Sequence, residues 1–315
     1  MSKLAALSCL FLLAGGICRA QDLSPRAYLI TPTATNSVLV TYSFQDGNID
    51  TGGAVPITGA NATLNIPLLT YYRSFNFFGR SANFNGSLAY GVGNFHGTVA
   101  DAEKNAYRSG LLDFTFRVSV NLIGGPAMPL NEFVKWKQKR LLGVSLRVVA
   151  PTGQYDGTKL VNLGANRWAF KPEVGYSQRF ANHLILDAYA GAWFYTTNPQ
   201  FFSENQFFPA IRSQTQNPIG SFEGHLSYDF SGRRWISLDG NFWYGGQTSL
   251  NGVQNPVTLQ RSSRIGVTGA MPITKHQSLK ASFSAGAYIS YGGNYRNFSI
   301  AWQYSWIGLP FRKGD

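Results

Sequence analysis

The sequence predicts an all-β protein: a transmembrane, antiparallel, up-and-down β-barrel of the outer-membrane type with about twelve strands. Three observations predict it. The chain opens like a secreted protein, it carries no later apolar run long enough for a helical span, and its apolar residues recur with period two. Lipid leaves only helices or closed barrels as spanning structures, because every backbone polar group must be satisfied internally.

The first 20 residues read as a secretory signal, with basic Lys3, an apolar core from Leu4 to Ile17, and Cys18-Arg19-Ala20 before Gln21. Residues 21–315 then form one barrel domain without a linker or low-complexity stretch. Removing the signal also removes Cys9 and Cys18, the only two cysteines. That excludes a thiol nucleophile, a cysteine-ligated metal and a disulfide framework. At 13% charged and 15% aromatic residues, the composition is far from that of a soluble or disordered chain.

Twelve alternating segments begin near Ser37, Asn61, Ala82, Arg108, Lys139, Asn166, His183, Ile219, Arg233, Val257, Gln277 and Tyr295. An even count suits a bacterial barrel. From Leu112 to Leu122, Leu112, Phe114, Phe116, Val118, Val120 and Leu122 oppose Asp113, Thr115, Arg117, Ser119 and Asn121. From Trp168, residues Trp168, Phe170, Val174 and Tyr176 oppose Lys171, Glu173 and Ser177. Pro172 lies inside that segment and cannot donate to a ladder, so a bulge is expected there. The last segment sets Phe298, Ile300, Trp302, Tyr304 and Trp306 against Asn297, Ser299, Ala301, Gln303 and Ser305.

Connections alternate between short turns and long loops, with Pro199 to Pro218 the longest loop. The short side and both termini are therefore expected to be periplasmic. Two connections depart from the rule. The fourth, Gly124 to Gln138, is long, and the eleventh, Gly292 to Asn294, is short. The stretch Pro129 to Arg140 is basic and contains Phe133 and Trp136, which suits a short amphipathic helix at the inner leaflet or a solvated turn.

The middle of the chain carries Asn121-Leu122-Ile123-Gly124-Gly125-Pro126-Ala127-Met128, then Val149-Ala150-Pro151-Thr152-Gly153-Gln154-Tyr155-Asp156, then Leu160-Val161-Asn162-Leu163-Gly164-Ala165-Asn166-Arg167-Trp168. With Pro25-Arg26-Ala27-Tyr28 and Trp302-Gln303-Tyr304-Ser305-Trp306, these resemble the outer-membrane family named for the MetA pathway of phenol degradation. The resemblance covers nearly all of residues 21–315. It implies a barrel that transports small compounds, aromatic ones among them, and it supplies no catalytic residues.

By strand phase, the lumen-facing bases are Arg73, Arg117, Arg147, Lys171, Arg264 and Lys280, and the acids are Asp113, Glu173, Asp187, Glu223, Asp229 and Asp239. Such groups either pair across strands and stiffen the wall or line an aqueous path. Tyr189, Trp193 and Tyr195 point inward beside Asp187 and form a candidate apolar patch for a solute. Glu223, His225, Ser227 and Asp229 share one strand face, but i, i+2 neighbours stand ~6.5 Å apart, too far for a working triad.

The expected function is an outer-membrane channel or transporter for small solutes, aromatic or hydrophobic ones included, in a Gram-negative bacterium. No enzyme activity, catalytic residue, metal or cofactor is expected. The expected partners are outer-membrane lipid, lipopolysaccharide, the barrel assembly machinery and the solute, with no nucleic acid. A lipid- or ester-hydrolysing barrel and a structural or adhesive barrel are the alternatives. The basic excess of the chain is expected at the short-turn rim and not in the lumen.

Overall fold

The computed structural model describes residues 23–50, 57–99, 102–159, 161–201 and 212–308. The predicted signal, residues 1–20, lies outside them, as does part of the longest loop. The strands are β1 (Thr35–Asp50), β2 (Ile57–Phe77), β3 (Arg80–Val99), β4 (Ala102–Leu111), β5 (Thr115–Ile123), β6 (Arg140–Val149), β7 (Ala169–Phe180) and β8 (Leu184–Tyr195). They continue as β9 (Gln214–Gln216), β10 (Ile219–Asp229), β11 (Trp235–Gly245), β12 (Thr248–Leu250), β13 (Val253–Asn255), β14 (Gln260–Pro272), β15 (Gln277–Tyr288) and β16 (Gly292–Ile307).

The barrel closes through β1–β16 and β2–β3 pairing, and every ladder is antiparallel. β4 and β5 both pair with β3 and form one interrupted wall strand. The wall therefore has twelve strands. β9, β12 and β13 form a separate three-stranded sheet in the long loops. The last described residue, Gly308, lies on the short-turn side beside Ala34, whereas Leu23 lies within the lumen against Gly266.

Alternation follows from the two solvents of the wall. Val40, Tyr42 and Phe44 on β1 and Phe298, Ile300 and Trp302 on β16 are exposed on the outer face. Their neighbours Thr41, Ser43, Ser299 and Ala301 point inward. The expected bulge at Pro172 does not form. The β7–β8 register is the same at Phe170↔Phe194 and Glu173↔Gly191, so the ladder merely opens between them. Gly191 makes this possible, because a Cβ there would meet the Pro172 carbonyl oxygen at 2.9 Å.

The long fourth connection contains a single-turn helix, α1 (Leu130–Phe133). The rings of Phe133 and Trp136 stack at 6.3 Å and pack against Ile30, Met128 and Leu141, across the short-turn mouth of the lumen. The long-loop mouth holds two apolar clusters. One is built from Val149, Ala169, Trp193, Ile219 and Trp243. The other joins Ala62, Leu64, Ile66, Ala89 and Leu112 to Leu163 from the loop after β6.

Candidate functional site

The lumen is the site, and its main occupant is the chain itself. Residues 23–34, ahead of β1, fold into the barrel and dock on β5–β11 mainly through their backbone. The Ser24 N–H donates to Glu223 Oε2 at 3.4 Å, that of Arg26 to Asp187 Oδ2 at 3.1 Å, and that of Ala27 to the Tyr189 hydroxyl at 3.1 Å. In return, Arg117 donates to the Ala27 carbonyl and Asn121 Nδ2 to that of Tyr28, both at 3.2 Å.

Tyr28 is the anchor. Its ring is fully buried and meets Tyr189 edge-on with centroids 5.0 Å apart, and the Arg117 guanidinium lies 4.6 Å over it. Its hydroxyl donates to Glu173 Oε1 at 3.0 Å. The ring fits because Gly143 and Gly175, cross-strand partners on β6 and β7, present no side chain. A Cβ on either glycine would overlap the ring.

Arg26 forms the second anchor, at the short-turn end. Its guanidinium pairs with Asp229 at 2.6 Å and lies 4.3 Å over Trp235. Arg179 takes the other oxygen of Asp229 at 2.7 Å. Arg26 itself has φ 64°, in the left-handed region disfavoured for a side-chain-bearing residue. That strain persists because side-chain, backbone and ring contacts hold the residue together.

Behind the plug segment runs a belt of buried charges on β5, β7, β10, β11 and β14. Arg117 lies 3.7 Å from Glu173, Lys171 pairs with Glu173 at 2.6 Å and Glu223 at 2.8 Å, and His225 Nδ1 lies at hydrogen-bond distance, 2.9 Å, from Asp239 Oδ1. Thr268 and Ser237 each donate to Asp239 at 2.6 Å. Opposed charges neutralise one another here, and removing one would strand its partners out of water.

Thirteen of the sixteen predicted lumen residues sit as follows. Arg117, Lys171, Glu173, Glu223, His225 and Asp239 form the belt, and Asp187, Tyr189 and Asp229 hold the plug segment. Arg147 faces inward beside Arg117 and Lys171, its cross-strand partners. Arg264 lies under Tyr295 at 4.1 Å and donates to Ser284 at 3.1 Å. Lys280 faces inward opposite Ala301. Trp193 is fully buried in the apolar cluster at the long-loop mouth.

Tyr195 packs beside Trp193 and under Arg167, away from Tyr189, so the three aromatics do not make one open patch. Two assignments are corrected. Arg73 faces outward, not into the lumen. It lies opposite Asn36 and donates to its Oδ1 at 3.2 Å, on the face that β1 continues with Val38 and Val40. Asp113 leaves the wall between β4 and β5. Its two carboxylate oxygens accept the N–H groups of Gly153 and Ala165, both at 2.9 Å, and so fix the loop after β6. Without these two, five bases and five acids of the predicted set remain inside; Arg26 and Arg179, both on Asp229, raise the count to seven bases against five acids, so part of the basic excess lies in the lumen and not at the rim.

Farther out on that loop, a hydrogen bond from Lys159, aided by the Thr158 hydroxyl and N–H, holds the Asp156 carboxyl down at about 2. The strand quartet around His225 does not assemble a nucleophile. His225 is engaged with Asp239 and Glu223, and Ser227 lies two residues away on the same strand.

The opposite wall differs. On β15, β16, β1 and β2 the inward residues include Lys280, Ser282, Ser299, Gln303, Leu39, Thr41, Ser43, Leu68 and Thr70, and all are at least partly exposed. The hydrogen bonds of residues 23–28 run to β5, β6, β7, β8 and β10. Among the described residues, an open strip of lumen thus lies between the plug segment and a wall of mostly small, hydroxyl-bearing side chains. The plug segment and this strip were missed from sequence. Pro25-Arg26-Ala27-Tyr28 was the available signal.

Among solved structures, an outer membrane channel from Pseudomonas putida F1 superposes with a TM-score of 0.73 at 16% identity, covering 90% of this chain and 100% of that one. The β domain of the Bordetella autotransporter BrkA gives 0.50 at 13% identity, covering 87% and 100%. At these identities the likeness is one of fold, an outer-membrane barrel. No curated protein matches. The family described as "Putative MetA-pathway of phenol degradation" matches residues 41–307, nearly the whole barrel, and this chain belongs to it.

Proposed function

We propose that this chain is a channel for small, largely uncharged solutes in the outer membrane of a Gram-negative bacterium, reached by secretion to the periplasm. One observation carries the reading: among the described residues, the lumen is filled on the β5–β14 side and open along β15, β16, β1 and β2. A solute entering from the loop side passes the apolar clusters around Trp193 and Leu163 and then the hydroxyl-bearing strip. Apolar walls followed by hydrogen-bonding groups suit a compact ring with one polar substituent, such as a phenol. The named outer membrane channel of similar fold and the family description support that choice of class. The acids of the buried belt are matched by bases, which reduces the field available to select free cations.

Single-channel recording in planar bilayers, with liposome uptake of phenol, tests the proposal. Discrete small conductance and phenol uptake are expected from the wild type. Thr41→Trp, which puts a large ring into the open strip, is expected to abolish both while the barrel stays folded on a heat-modifiability gel. A silent wild type, or an unaffected Thr41→Trp, overturns the reading.

A further inference from the structure

We infer that the short-turn rim around the β2–β3 hairpin and the β5–β6 connection is a binding site for an anionic phospholipid of the inner leaflet. The patch has two chemistries side by side. Its apolar part is Phe77, Phe78, Leu122 and Ile123, of which Phe78 is 91% exposed at the hairpin tip. Its charged part is Arg80, Lys139 and Arg140, all exposed.

The fold brings these residues together. Phe78 and Gly79 take positive φ, 48° and 78°, and form the tight turn that pushes the Phe78 ring outward, where it meets Phe77 edge-on at 4.8 Å. Arg80 donates to the Leu122 carbonyl and so joins the hairpin to the end of β5. The Ser81 N–H donates to the Gly125 carbonyl at 2.9 Å and the Ala127 N–H to the Gly79 carbonyl at 3.0 Å, which fixes the connection against the hairpin. Gly124 packs against the Arg140 carbonyl, which places the start of β6 at the same spot.

The occupant follows from position and charge. Leu69 to Phe77 on β2 and Val118 to Leu122 on β5 are outward rows of the lipid-facing wall, so the patch continues the hydrocarbon interface. At its edge, where headgroups replace hydrocarbon, residues 76–81 and 122–140 hold five bases, Arg80, Lys135, Lys137, Lys139 and Arg140, against the single acid Glu132. An acyl chain on Phe77 and Leu122 with its phosphate between Arg80 and Arg140 satisfies both. Clusters of bases beside an apolar anchor gain affinity for anionic lipid at ~1 kcal/mol per base, about fivefold each. The connection is rigid below, since Phe133 and Trp136 are packed on the lumen side, so little ordering cost opposes binding.

The full chain in phosphatidylcholine nanodiscs, titrated with pyrene-labelled phosphatidylglycerol, tests the site. Arg80→Gln/Lys139→Gln/Arg140→Gln is expected to weaken binding on the order of tenfold or more. Lys139→Gln/Arg140→Gln, which keeps the Arg80 tie to Leu122, is expected to weaken it less but measurably. Arg233→Gln/Arg234→Gln, at the β10–β11 turn across the rim, should leave it unchanged. Equal loss in the Arg233/Arg234 variant means that only general rim charge acts and overturns the site. So does unchanged binding in both patch variants. Competition by inorganic phosphate as strong as by the lipid would assign the bases to a free anion and also overturn it. None of these readouts depends on conduction, so failure here is separate from failure of the channel reading.

Discussion

The two halves of the lumen wall solve the same problem differently. On β5–β14 the inward side chains are nearly all buried, and long charged or aromatic groups matched to one another and to the plug segment alternate there with buried serines and glycines. On β15, β16, β1 and β2 they are mostly small and hydroxyl-bearing, with half-exposed surfaces and local pairs such as Ser37 with Ser305 and Ser282 with Ser299. One half derives rigidity from the contacts it buries, and the other leaves room. A barrel of twelve strands is narrow enough that both are needed, since it lies between barrels that side chains fill and those that enclose a wide channel.

The sharpest way to break the comparison is to remove one polar side chain from each half. Glu223→Leu leaves Lys171 and His225 without a shared partner, and destabilisation of about 3–5 kcal/mol is expected. Ser299→Ala on the open half should stay within about 0.5 kcal/mol. Urea unfolding in detergent measures both, and equal effects would dissolve the distinction. Next comes packing. Gly175→Ala puts a methyl where the Tyr28 ring sits, an overpacking cost of about 1–3 kcal/mol. Release of the plug segment should raise conductance, and an unchanged conductance together with unchanged stability would show that Tyr28 is not the anchor.

A smaller effect is expected at the short-turn end. Arg26→Ala removes one of two guanidiniums on Asp229, which Arg179 still covers, so stability should fall by only about 1 kcal/mol. The test is flicker in single-channel traces: fraying of residues 23–26 should add brief openings absent from the wild type. The smallest effect belongs to the outer loop. The Asp156 carboxyl is held below its unfolded value of ~3.9, so its contribution is complete above that pH and is lost as pH falls through about 2. The amide protection factor around Thr158, with the intrinsic pH dependence of exchange divided out, should therefore be flat from pH 7 to about pH 5, and Asp156→Asn should remove the acid-side change.

The strands were legible in the sequence because lipid and lumen impose opposite demands on successive residues. That signal is strong in β16, with its Phe298-to-Trp306 row, and it fails where one face stops being uniform. Around Arg73 the run Tyr71-Tyr72-Arg73-Ser74-Phe75 mixes aromatic and polar groups on both faces, so phase alone reversed Arg73. Asp113 continued the alternation of Leu112 to Leu122 in the text, while in space the ladder breaks there and the carboxylate turns to a loop backbone. The plug segment was hard to read for another reason. Part of its docking uses the N–H groups of Ser24, Arg26 and Ala27, which leave no trace in residue identity, so its only signal was the side chains of its two anchors, Arg26 and Tyr28.

That docking has a kinetic side. The hydrogen bonds from Ser24, Arg26 and the Arg26 guanidinium reach partners 199, 161 and 203 residues away in the chain. Contacts so distant form late, because the ends they join must first be brought together by everything between them. Residues 23–28 are therefore among the last to find their place, and they can do so only once β7 to β10 stand as a wall. During assembly the young barrel is wider inside than the finished one, and it narrows from within as this segment docks.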